Sequence, residues 1–221
     1  MINNNTSVKT KDTLYRARFK YAKLQDMKYL SQLDITRIIK QILFLVKAPV
    51  VIKEGFNPQL KISFGRALPL GIKSICEYFD LFLYQESDLD KMIKDMNKKF
   101  PSGLKILKGQ YISLKEESIF SSMNTGIFKV AVVLNKDFEL VEAKIKNLMI
   151  NQAKINFTTK NKEKEILLAT ILRSIDIKNR GKNQAIISLV LKDIIDPKKI
   201  LAFLNEDIKI SNIRCLEFLN T

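Results

Sequence analysis

The hydrophobic period of this chain switches from two residues to a helical one and back, and that order of switches is the strongest constraint on its fold. Residues 14–23, LYRARFKYAK, alternate: Leu14, Arg16, Arg18 and Lys20 share one parity and Tyr15, Ala17, Phe19 and Tyr21 the other, the mark of a half-buried strand. In residues 29–47, Leu30, Leu33, Ile38, Ile42 and Val46 then recur at helical spacing. Ser31 with Asp34 three residues later predicts a capping-box start, and Ala48-Pro49 a stop. LKISFG (60–65) alternates again, ICEYFDLFLY (75–84) reads as a buried strand, residues 87–100 as a helix opened by Ser87, and 104–112 as a further strand. The order β-α-β-β-α-β is that of a ferredoxin-like split unit.

The second half repeats the order without repeating the sequence. Residues 126–134 read as a strand, 137–150 as a helix and 153–160 as a strand; 164–177 and 184–193 read as strands joined through KNRGKN. Residues 196–205 form a helix with Asp196 as N-cap and Pro197 at its first position, and 208–219 a closing strand. The expectation is an α+β protein of two tandem ferredoxin-like (βαββαβ) domains, at 14–112 and 126–221. A disordered N-terminal tail (1–13) and a polar, serine-rich linker (113–125) complete it. A chain of 221 residues, 46% hydrophobic, is long enough for one substantial core or two small ones.

Charge narrows the partner. The net charge is +15, and residues 1–73 hold 14 Lys or Arg against 4 Asp or Glu, a net of +10. A concentrated basic surface favours polyanions, RNA first, although a compositional bias toward Lys, Asn and Ile would raise lysine without function. Histidine is absent, which excludes His-dependent triads and the commonest zinc sites. The two cysteines, Cys76 and Cys215, fit reduced core thiols of a cytoplasmic protein and are too few for an iron–sulfur cluster. No cofactor and no metal are therefore expected. Neither a signal-peptide core nor an apolar run of spanning length occurs, so no membrane partner is expected.

The stretch GFNPQLKISFGRALPLG (55–71) gathers three glycines, two prolines and two phenylalanines. Gly55, Gly65 and Gly71 permit positive φ or close approach of another chain, while Pro58 and Pro69 hold their predecessors Asn57 and Leu68 extended. Lys53, Lys61, Arg66 and Lys73 surround Phe56 and Phe64, so phosphates could meet cations while an exposed ring stacks on a base. A plain connecting loop with Phe64 in the core is the competing reading. The candidate RNA- or partner-binding residues are Ser31, Asp34, Arg37, Lys53, Gly55, Phe56, Asn57, Pro58, Lys61, Arg66, Gly71 and Lys73, with Ser31, Asp34 and Arg37 buttressing the loop. Glu77 and Asp80 fall on opposite faces of their strand, against a joint acid–base role.

YLSQLDITR (29–37) followed by residues 48–83, with GFNPQ, ALPLG and SICEY in order, resembles the radical-SAM-linked proteins of the DUF2344 group, over about residues 14–112. Members of that group occur beside or fused to radical SAM proteins and near genes for ribosomal proteins and an RNA-processing nuclease. The resemblance implies a part in RNA or ribosome metabolism and a radical SAM protein as partner. Gln32 and Gln59 stand where the group tends to have histidine, and ILLATIL (166–172) stands where Asp-Leu-Arg-Pro would be expected. Glutamine keeps a hydrogen bond and cannot titrate, which favours binding over catalysis. The resulting expectation is a non-catalytic RNA-binding or substrate-presenting accessory module; the alternatives are an RNA-modifying or RNA-processing enzyme and a protein-binding adaptor.

Overall fold

Strand and helix order follow from the periodicities, and the strands assemble into one large mixed sheet. The computed structural model describes residues 14–53, 55–56, 58–150, 154–159 and 162–219; the tail 1–13 lies outside the described residues. The first half contains β1 (Tyr15–Lys23), α1 (Gln32–Leu45), β2 (Ile52–Lys53), β3 (Gln59–Leu60), β4 (Ile62–Phe64), β5 (Lys73–Leu83), α2 (Leu89–Asn97) and β6 (Leu104–Ile112). After α3 (Ile119–Ser122) the second half contains β7 (Thr125–Leu134), α4 (Phe138–Ile150), β8 (Lys154–Thr159), β9 (Lys162–Leu167), β10 (Leu172–Asn179), β11 (Gln184–Lys192), α5 (Pro197–Ile200) and β12 (Ile208–Leu219). Among the described residues the fold is a mixed α/β architecture with five α-helices.

The main sheet runs β10-β11-β7-β12-β5-β1-β6, and β4 pairs with β5 as an eighth strand. Among the described residues every pairing in it is antiparallel except β12 with β5, a short parallel contact at Arg214↔Lys73 and Cys215↔Ser74. Strand β5 therefore joins the halves: its first two residues meet β12, and Phe79–Leu81 meet β4. Two hairpins stand apart from the sheet, β2-β3 and β8-β9. Each follows the first helix of its half, so the chain makes the same excursion twice.

Two hydrophobic clusters pack against the sheet. The first joins Phe19 and Tyr21 of β1, Ile35, Ile39, Ile42 and Leu43 of α1, Phe79 and Leu81 of β5, and Met92 and Met96 of α2; Phe19 and Phe79 stack at 5.2 Å. The inward residues of α1 are Ile35, Ile39, Ile42 and Leu43, a helical stripe offset from the expected one: of Leu30, Leu33, Ile38, Ile42 and Val46 only Ile42 is fully buried, and Leu33 is exposed. The second cluster is built on β7, α4, β10, β11 and β12, and it also takes in Leu68, Ile72 and Cys76 from the first half. Cys76 and Cys215 are both buried, with their sulfurs 3.3 Å apart at the β5–β12 seam, and burial pushes the Cys215 thiol far above its ordinary range.

Two expected strands take another form. The run 164–177 divides at a 3₁₀ turn, Leu168–Thr170, into β9 and β10. Its apolar stretch, interrupted only by Thr170, carries no alternation, and the turn brings Leu168 and Ile171 inward together because residues three apart share a side in that helix. The run 60–65 divides into β3 and β4 at Lys61, whose N–H donates to the Val51 carbonyl at 2.6 Å.

The polar stretch 113–125 is pinned to the sheet. On the face of β1 turned away from α1, Arg16 and Arg18 converge on Asp80 of β5: Arg16 donates to Oδ2 at 2.6 and 3.0 Å, and Arg18 to Oδ1 at 2.9 Å and Oδ2 at 3.1 Å. The same guanidinium groups donate onward to the carbonyls of Glu116 and Glu117. Asp80 is fully buried and Arg16 nearly so. Removing one partner of such a cluster leaves uncompensated buried charge. Asp80→Ala is expected to cost about 3–5 kcal/mol, measured as a fall in the urea midpoint; a loss below about 1 kcal/mol would show that the cluster is peripheral to stability.

Candidate nucleic-acid interface and a buried polar cleft

The predicted loop residues fall into three groups. At the start of α1, Ser31 is the N-cap: its hydroxyl accepts from the Asp34 N–H, and the Asp34 carboxylate accepts from the Ser31 N–H at 3.2 Å and hydroxyl at 2.6 Å. Those bonds hold the Asp34 carboxyl below its usual range. Arg37 lies 3.4 Å from Asp34 on the exposed surface.

The second group is the β2-β3 hairpin. Lys53 and Pro58 are exposed, Gly55 has φ +145°, and Phe56 is fully exposed at the turn; Asn57 lies outside the described residues. The hairpin is tied to α1 by Lys40, whose ammonium donates to Gln59 Oε1 at 2.8 Å. The outer side of α1 beside it carries Arg37 and exposed Leu33 and Phe44. Cations and uncovered apolar surface thus lie on one continuous piece of chain. Phe64 turns the other way and packs on Phe79 at 5.7 Å.

The third group lies along the join of the halves and serves the fold. Arg66 donates to Asp193 Oδ1 at 2.9 Å and to the Phe120 carbonyl at 3.2 Å, and its guanidinium stands 5.0 Å from the Phe120 ring centre. Gly71 adopts φ +85° while its N–H donates to the Lys28 carbonyl, a backbone conformation that a β-branched residue resists. Lys73 sits half-buried at the β5–β12 pairing. Between the second and third groups, Lys61 covers the Phe82 ring at 4.3 Å. The seventeen-residue stretch is therefore not one surface: its first part projects and its last part braces.

A second site carries no signature in the sequence. Where β4 and β12 part company along β5, a narrow cleft is lined by Tyr21, Gln32, Gly65, Glu77, Ile119 and Phe218, drawn from both halves. Tyr21 and Glu77 are register partners on β1 and β5, which places the phenol 3.2 Å from Glu77 Oε2 as donor. Lys23 Nζ faces Glu77 Oε1 at 3.4 Å, both side chains being buried, but no hydrogen-bond donor meets Oε1 among the described residues. Gln32, at the first turn of α1, lies within hydrogen-bonding reach of the Tyr21 phenol.

Burial pushes the Glu77 carboxyl above its ordinary value, against the opposing pull of Lys23 and Tyr21. It also raises the Tyr21 phenol, with the Glu77 charge adding to the effect. The available signal was two acids in an otherwise apolar strand; Glu77 and Asp80 do face opposite sides, and each has its own cations. Among the described residues no group of three His, Cys, Asp or Glu side chains is placed to hold a metal, and no helix is long and apolar enough to cross a membrane.

A carboxyl raised on folding holds its proton more tightly in the folded protein, so ionising it costs stability. That cost is absent below the unfolded value and builds as pH rises through the folded one. Glu77→Gln, which mimics the protonated carboxyl, is expected to change stability little at acid pH and to flatten the decline above about pH 4. Urea midpoints across the acid-to-neutral range check this; an unchanged slope would remove Glu77 as its source.

No curated protein matches the sequence. Among solved structures, a Cbf5-Nop10-Gar1 complex aligns with a TM-score of 0.49 at 9% identity, covering 91% of this chain and 48% of that one. The archaeal box H/ACA sRNP Nop10-Cbf5 complex aligns at 0.45 and 9%, covering 90% and 46%. An H/ACA RNP bound to a substrate RNA containing 2'-deoxyuridine aligns at 0.46 and 8%, with the same coverage. The chain thus spans about half the length of the solved chains it resembles. A match of residues 16–205 to DUF2344, described as an uncharacterised protein conserved in bacteria, places the chain in that family.

Proposed function

We propose that the chain is an RNA-binding accessory module whose contact surface is the β2-β3 hairpin together with the outer face of α1. One observation carries the reading: a phenylalanine, Phe56, stands fully exposed at the tip of a hairpin with Lys53 beside it, and Lys40 holds that hairpin to a helix face bearing Arg37. An uncovered ring on a hairpin that also carries an exposed lysine suits single-stranded RNA, whose bases stack on aromatic groups while phosphates meet Lys and Arg. The net charge of +15 supports the same partner.

The scaffold in this reading is a tandem ferredoxin-like pair, at 14–112 and 126–221. The strand orders β6-β1-β5-β4 and β12-β7-β11-β10 support it, because each half then has its first strand inside and its second at an edge. A radical SAM protein as working partner is supported by the sequence resemblance to the radical-SAM-linked group. An RNA-modifying enzyme is the second reading, favoured by the buried Glu77 carboxyl with its raised proton affinity.

Binding of a labelled single-stranded RNA, followed over a salt series, tests the first reading. Affinity is expected to fall steeply with salt. Changing Lys53 and Arg37 to Gln should shallow the slope by roughly one unit for each phosphate that is no longer neutralised. Phe56→Ala should cost about 1–3 kcal/mol of binding without shifting the thermal midpoint, since the ring is fully exposed. Binding indifferent to all three substitutions would remove the hairpin from the interface.

A further inference from the structure

The two halves turn their helices to opposite sides of the sheet. On β5, Phe79 and Leu81 belong to the cluster of α1 and α2, whereas Cys76 belongs to the cluster of α4 and α5 and Tyr78 packs against it. Successive residues of a strand point to opposite faces, so the face of the second half that α4 and α5 leave uncovered lies on the α1 side. Strands β7, β11 and β12 turn Phe128, Val130, Ile187, Leu189, Ile213 and Cys215 into the cluster. The alternate residues form the other face: Ile127, Ala131, Ile186 and Val190 are half-buried there, and Lys129 and Arg214 are exposed.

Three cations stand in register across neighbouring strands. Arg214 of β12 is directly opposite Lys129 of β7 on one side and Lys73 of β5 on the other. Strands lie about 4.8 Å apart, so the row is roughly 10 Å wide. Like charges directly opposite one another destabilise a sheet, and among the described residues no carboxylate forms an ion pair with any of the three. The acids of this face stand elsewhere: Glu217 is opposite Ile127, and Asp176 is opposite Ser188. Exposed Lys192 and Lys209, opposite Thr125 and Val133, extend the positive charge toward both ends of β7.

Such a row is unfavourable in the free protein and is relieved by an anion. The side chains around it decide which anion fits. Among the described residues of this face none is aromatic, so it offers a base no ring to stack on and a protein partner no large anchor. Phosphate groups need neither. We infer that the uncovered face of β7 and β12 is a second RNA contact, taking the phosphate backbone on Lys129 and Arg214, a reading that rests on RNA as the partner. Lys73, half-buried beside them, strengthens the field. Contact made only to phosphates is indifferent to base sequence. The face lies on the same side of the sheet as α1 and its hairpin, so one strand can follow both.

The test is binding of labelled oligo(A) and oligo(U) RNA to the full chain over a salt series, with the Lys129→Gln, Arg214→Gln double variant beside the parent. The slope of log affinity against log salt is expected to shallow by about 1.4, at about 0.7 for each single-strand phosphate no longer neutralised, and equally for both sequences. Both side chains are exposed, so the thermal midpoint should hold or rise at low salt. Lys129→Glu separates the two roles: a carboxylate opposite Arg214 should raise the midpoint and weaken RNA binding. An unchanged slope in the double variant, or a change confined to one sequence, overturns the inference. If Phe56→Ala still weakens binding in that case, the hairpin reading stands alone. A parent that binds no RNA removes both readings, and polyglutamate bound by the parent and lost in the double variant would then mark the face as a dock for an acidic protein.

Discussion

Asp80 organises this protein. A single buried carboxylate accepts from two arginines of the neighbouring strand, and those arginines are then oriented to grip the carbonyls of Glu116 and Glu117. Two cations around one anion would be unfavourable in a dry interior without further acceptors, and the two carbonyls are those acceptors. The passage from first half to second is thus fixed by electrostatics as well as by packing. With 113–125 held there, Ile119 is buried beside Gly65, and Arg66 can reach both Phe120 and Asp193. The cleft exists because this chain of contacts sets its far wall.

Positive charge is divided between two tasks. Arg16, Arg18, Lys23 and Arg66 are committed to carboxylates inside or between the halves, so the formal excess of the N-terminal third overstates what faces solvent there. Arg37 and Lys53 remain on the outer side of α1 and its hairpin, while Lys40 ties the two together. A count of basic residues identifies a basic protein; it takes the fold to separate cations that brace from cations that face outward.

Local signals were readable wherever one periodicity or one cap decides the outcome. The alternation of 14–23, the capping box of Ser31 with Asp34 and the N-cap Asp196 before Pro197 need no partner to be recognised. What sequence could not convey is non-local. Nothing in KSICEYFDLFL says that its first two residues will pair in parallel with residues 214–215, or that Tyr21 and Glu77 will lie side by side across strands. The glycine-rich stretch reads as one motif because it is contiguous, whereas its two ends answer to different neighbours: Lys40 holds one, and Lys28, Phe120 and Asp193 hold the other. The run at 166–172, apolar but for Thr170, misleads for the opposite reason, having no periodicity to mark its break.

The paired thiols at the β5–β12 seam carry a consequence for dynamics. Cys76 and Cys215 come from different halves and are sealed by the short parallel pairing of the main sheet, and a thiol shut away from solvent is inert toward electrophiles. Their chemistry is therefore gated by how often the two halves part. The protein carries an internal clock: the rate at which an electrophile reaches these sulfurs reports the frequency of seam opening, separately from the breathing of either half alone.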